Sequence, residues 1–140
     1  MAVSFIFQTA KFPIPTRKTL VNWILLVAYQ EQKVVKDISY IFCDDDYVLH
    51  LNKKFLQHNT YTDVITFDYS TSKEITGEIY VSIDRVRENA LKFKVPELQE
   101  LLRVLVHGLL HCFGYSDQTT KSKAEMRRKE NRYLKVYFSM

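Results

Sequence analysis

Glycine and proline are scarce, three of each in 140 residues. Gly77, Gly108, Gly114, Pro13, Pro15 and Pro96 are too few for a low-complexity linker or a collagen-like repeat. Cysteine is scarcer still. Cys43 and Cys112 lie far apart and form no C-x-x-C pair, so they read as reduced, small buried hydrophobes. Long apolar runs are missing too: the longest, Trp23 to Ala28, is far too short to span a bilayer. Met1 to Ala10 shows no basic segment and no small-residue cleavage site, which points to a cytoplasmic location.

What is present suits a folded chain. Hydrophobic residues make up 46% and charged residues 26%, which excludes a disordered polymer. One domain over 1–140 is expected, able to bury roughly 70% of its unfolded surface without staples. The net charge of +4 is mild, but its distribution is uneven. The last helical stretch carries Lys121, Lys123, Arg127, Arg128, Lys129, Arg132 and Lys135 against only Glu125 and Glu130. Such a helix binds phosphate by counterion release, or is simply a solvated face; composition leaves both open.

Alternation of Val3, Phe5 and Phe7, and of Ile38, Tyr40 and Phe42, predicts two half-buried strands. Val64 to Tyr69 and Gly77 to Val81 are two more, separated by a turn over Ser70 to Thr76. Leu20, Trp23, Ile24 and Val27 recur at helical spacing. Asp44, Asp45 and Asp46 suit the start of a second helix, and Gln57 to Thr62 reads as a loop. Ser82 caps a third helix that buries Ile83, Val86, Ala90 and Leu91. Pro96 suits position N1 of a fourth, whose leucines and valines from Leu98 to Leu110 lie nearly all round, as in a central buried helix. A fifth places Met126, Glu130, Tyr133 and Tyr137 on one stripe. The order βαβαββααα predicts a single α+β domain with a small mixed sheet of about four strands and helices packed on it.

His107 and His111 are four apart on the central helix, so both imidazoles leave one face. Gly114 can end that helix in a left-handed turn, letting Asp117 return to the same point. Two nitrogens and one oxygen with a fourth position open describe a catalytic zinc site, which lowers the pKa of a bound water. Nickel or iron would accept the same donors. In zinc peptidases of the H-E-x-x-H type a glutamate follows the first histidine, but here that position is Gly108. The spacing H-x-x-x-H-x-x-G-x-x-D still mimics the metzincin pattern, so a zinc peptidase stays as an alternative.

The stretch His107-Gly-Leu-Leu-His111-Cys-Phe-Gly114-Tyr115 resembles the H-G-x-L-H-x-x-G-Y-x-H motif of the YbeY family, bacterial endoribonucleases of rRNA maturation. Leu51-Asn52 with Thr62-Asp63-Val64-Ile65-Thr66-Phe67, Gly77-Glu78-Ile79-Tyr80-Val81-Ser82, and Met126 with Glu130 are similar to its other blocks. The resemblance spans 37 to 134. It implies one zinc ion per chain and cleavage of single-stranded RNA. The substrate implied is the 16S rRNA precursor at its 3′ end, and the partner the small ribosomal subunit, with a role in ribosome quality control and no DNA or membrane. Two positions depart from the family. Asp117 stands where histidine is usual, which lowers the net site charge and the acidity of a bound water. Leu56 stands where most members have an arginine that helps hold the scissile phosphate. Lys53, Lys54 or His58 are the nearby groups that can contact phosphate instead, and Arg127 and Arg128 are the candidates on the last helix. A non-catalytic ribosome-assembly factor, with lost chemistry at Leu56, is the other alternative.

The catalytic set is therefore His107, His111 and Asp117, with Asp63 a possible base or a plain turn residue. Glu130 faces inward; it either accepts a hydrogen bond from a ligand histidine or pairs with Arg103. Tyr115 reads as packing.

Overall fold

The computed structural model describes residues 2–9, 12–58 and 61–140. Strands β1 (Val3–Phe7), β2 (Val34–Cys43), β3 (Val64–Asp68) and β4 (Glu74–Ser82) form one mixed sheet in the order β1-β2-β4-β3. The first three in that order are parallel, and β3 closes the edge antiparallel to β4. Helices α1 (Arg17–Gln30), α2 (Asp45–Leu56), α3 (Ile83–Phe93), α4 (Glu97–Cys112) and α5 (Thr120–Phe138) complete the expected order.

Strand periodicity divides the sheet into two faces. Ile38, Tyr40, Phe42, Ile79 and Val81 point into the large core beneath α1 and α4. Ile41, Cys43 and Ile65 point the other way, onto Val48 and Leu51 of α2. Helix α4 is the centre of the large core. Tyr40 donates its hydroxyl to the Leu105 carbonyl at 3.1 Å, tying α4 to the sheet. Trp23 Nε1 donates to the Tyr133 carbonyl at 2.9 Å, tying α1 to α5. Gly108 lets α4 lie close on the sheet: a Cβ there would sit 2.7 Å from Ile79 Cγ2 and 3.2 Å from Thr66 Oγ1. Cys43 and Cys112 are free and buried, and burial pushes both thiols up to about 12.

Helix starts follow the sequence. Asp44 and Ser82 accept from the amides of Tyr47 and Arg85. Several expectations need correction. Pro96 is the N-cap of α4, not N1. The turn after β3 is shorter than Ser70 to Thr76, because β4 begins at Glu74 to pair with the full length of β2. Leu91 is 81% exposed; it lies about 100° round α3 from Ala90, off the Ile83–Val86–Ala90 stripe. Leu98 is exposed in the first turn of α4, while Glu100 is buried. Of the polar loop expected over Gln57 to Thr62, Asn59 and Thr60 lie outside the described residues, as does Ala10.

Candidate metal centre

Helix α4 ends in a Schellman turn. Tyr115 N–H donates to the Leu110 carbonyl, Gly114 N–H to that of His111, and Gly114 takes φ +104°. This turn does two things. It swings the following loop back so that Asp117 faces the helix it has just left. It also places the Tyr115 carbonyl where His111 Nδ1 donates to it at 3.0 Å.

A carbonyl only accepts, so the proton of neutral His111 sits on Nδ1 and Nε2 presents a lone pair. His107 is held the same way: its Nδ1 faces Glu130 Oε2 at 2.7 Å. Glu130 is 5% exposed, and its other oxygen accepts from Arg103 at 3.0 Å. Glu130 therefore contacts His107 and Arg103 at once. Burial pulls its pKa upward, but His107, Arg103 and Arg127 outweigh that and keep it below the ordinary carboxylate value.

The result is a convergence of acceptors. His107 Nε2 and His111 Nε2 are 3.1 Å apart, and Asp117 Oδ2 is 3.4 Å from each. Two lone pairs and a carboxylate repel one another unless a cation sits among them. Donors 2.0–2.1 Å from a tetrahedral zinc are about 3.3–3.4 Å apart, so the group fits that ion's donor set and spacing. Without a metal, the same crowding shows in His107: burial lowers its pKa, but Glu130, Asp117 and Asp63 together raise it above the imidazole norm.

These side chains line one end of a cleft of about 830 Å³. Its floor on α4 is a polar stripe, Glu100, Arg103, His107 and His111, at helical spacing along a helix otherwise buried in aliphatic contacts. Asp63, immediately before β3, lines it too; burial raises its pKa and His107 offsets part of that. Thr66 Oγ1 is buried with no hydrogen-bond partner among the described residues. Leu56 occupies the wall. The basic groups lining the cleft are Arg103 and Arg127, the latter 61% exposed. Lys53, Lys54 and His58 are exposed and do not line the cleft, since α2 turns Val48, Leu51 and Asn52 toward the sheet and its lysines outward. Arg128 faces outward near Glu125, 3.8 Å away. Tyr115 does more than pack: its hydroxyl donates to Glu31, which also accepts from Tyr133 and Lys129.

Glu100, Asn89 and Phe93 were not anticipated as cleft residues. For Glu100 the signal was present: it lies seven residues before His107, two helical turns along the same face.

The family described as Endoribonuclease YbeY matches residues 5–137. The chain belongs to the YbeY family. Its similarity to an Endoribonuclease YbeY of Flavobacterium psychrophilum is 47% identity over 135 residues, 96% of each chain. It is 41% identical to an Endoribonuclease YbeY of Amoebophilus asiaticus, over 94% of this chain and 90% of that one. A Thermotoga maritima protein solved in solution superposes with a TM-score of 0.67 at 29% identity, covering 98% of this chain and 89% of that one. Membership in a family of endoribonucleases makes this chain a hydrolase with a metal-capable His107–His111–Asp117 group. None of the described helices is long and apolar enough to cross a membrane.

Proposed function

We propose that this chain is a zinc-dependent, single-strand-specific endoribonuclease that matures the 3′ end of 16S rRNA, acting in the cytoplasm on the small-subunit precursor as one domain over 1–140. The observation that carries the reading is the meeting of three acceptor atoms at 3.1–3.4 Å on the floor of a cleft. His107, His111 and Asp117 would hold the ion. Zinc bound there lowers the pKa of a water and polarises a phosphoryl oxygen.

The protein's own groups do the rest. Glu130 and the Tyr115 carbonyl hold both imidazoles in the tautomer with Nε2 free. Arg127, the more exposed guanidinium of the cleft, meets the phosphate and offsets the charge that builds on phosphorus, replacing the family's arginine at Leu56. Asp63, a half-buried carboxyl with a raised pKa, takes the proton of the attacking water and returns it to the departing oxygen.

The peptidase alternative meets a steric objection. A glutamate at position 108 would drive its Cβ into Ile79. The test is labelled single-stranded RNA incubated with and without chelator, using wild type and His111→Ala. Cleavage restored by zinc and absent in the variant is expected. Cleavage that survives chelation refutes the metal mechanism, and tight chelator-resistant binding without scission supports the assembly-factor reading.

A further inference from the structure

Glu100 lies at the opposite end of the cleft from His111, about 10 Å along α4 from His107. It is 5% exposed, yet its carboxylate has no hydrogen bond and no ion pair among the described residues. The guanidinium on its own helix face, Arg103, is turned to Glu130. Burial and neighbouring Asp63 push its pKa upward, and the more distant charges of Arg103 and Arg127 offset only part of that. A buried acceptor of this kind gains most from a ligand that brings N–H donors, and a phosphate brings none.

The facing wall is α3. Asn89 and Phe93 are four residues apart on it, share one face and both line the cleft. Phe93 is 55% exposed where it lines the cleft, and the Lys92 ammonium stands 5.6 Å from its ring centroid. An exposed aromatic ring beside a buried acceptor is the arrangement that stacks an unstacked base and reads its edge.

We propose that Glu100, Asn89 and Phe93 form a base subsite that selects guanine in the nucleotide neighbouring the scissile phosphate. The inference rests on the ribonuclease reading. Guanine displays two adjacent donors, N1–H and N2–H, matching the two oxygens of Glu100. Adenine and cytosine each set an acceptor beside their amino group, and uracil offers a single N–H, so each leaves one oxygen unpaired. The Asn89 amide supplies a donor for guanine O6, and Phe93 stacks the ring.

The test uses short labelled RNA strands, uracil throughout but for guanine, inosine or adenine at one position moved stepwise along the strand. Binding and cleavage are measured with the zinc-loaded wild type, Glu100→Gln and Phe93→Ala. Guanine should be favoured over adenine about tenfold or more at one fixed position, with inosine, which lacks the N2 amino group, between them. In Glu100→Gln the ratio should collapse toward one. Phe93→Ala should weaken binding of every base at that position and leave the ratio intact. The proposal is overturned if no position favours guanine, if Glu100→Gln keeps the full ratio, or if Glu100 saturably takes up Mg²⁺ in an enzyme blind to the base. Should Glu100→Gln fail to fold, the wild-type base series and Phe93→Ala still decide. RNA cut without base preference overturns the subsite alone; RNA neither bound nor cut overturns the ribonuclease reading with it.

Discussion

Replacing Glu130 by glutamine keeps the shape of the side chain and removes its charge. One oxygen accepts from His107 Nδ1 at 2.7 Å and the other from Arg103 at 3.0 Å. Glutamine can satisfy only one of them. If its amide nitrogen faces His107, Nδ1 must become the acceptor, the ring proton moves to Nε2, and the nitrogen that meets Asp117 is blocked. If the oxygen faces His107, the amide donors face a guanidinium that also only donates. Either way the imidazole is held less well for a metal. Loss of such an outer partner weakens metal binding about 10–100-fold, or about 1.4–2.7 kcal/mol. The site is buried, so losing the charge-assisted bonds should also remove about 2–3 kcal/mol of metal-free stability. Competition with a chromophoric chelator for zinc measures the first effect, and denaturant unfolding the second. Glu125→Gln is the control, since Glu125 is half exposed and pairs only loosely with Arg128. A Glu130→Gln protein that binds zinc within twofold of wild type would refute the claim that this carboxylate sets the tautomer of His107.

Other outcomes follow from the same contacts. Because the folded-state pKa of His107 is raised above 6.5, metal-free protein should hold its contribution in full below that pH and lose it as pH climbs through the folded value; urea midpoints across pH in chelator measure this. Zinc must displace that proton, so zinc affinity should rise over the same window, and an affinity flat with pH would sink the assignment. Glu31 behaves oppositely: burial raises its pKa, but Tyr115, Tyr133 and Lys129 more than offset this and lower it below 4.5. Its contribution is present above pH 4.5 and should fade as pH falls through the folded value, a slope that Glu31→Gln flattens while costing about 2–4 kcal/mol near neutrality. Gly108→Ala should cost about 1–3 kcal/mol, since its methyl group meets Ile79 at 2.7 Å, and should lower the unfolding midpoint in calorimetry.

The order of the elements, the helix starts at Asp44 and Ser82, and the left-handed Gly114 were all legible in the chain, because each depends on periodicity or on one residue's local chemistry. So was the pair His107 and His111, since four residues on a helix fix the direction of both rings. Side chains whose place depends on a partner element were not. Leu91 looks like a core residue until α3 is docked, and Lys53 and Lys54 look close to the phosphate until α2 packs on the far side of the sheet from α4. Arg127 and Arg128 looked alike as phosphate contacts until α5 docked beside α4, which put Arg127 in the cleft and Arg128 outward.

Local spacing along the chain thus determined which groups can act. Tertiary structure decided what they face: that Glu130 joins His107 to Arg103, and that Glu100 is buried with no hydrogen bond to its carboxylate among the described residues. The physical reason is one of range. Helical direction and capping are settled within about four residues, whereas the burial and pairing of a charge depend on groups brought near by the rest of the fold.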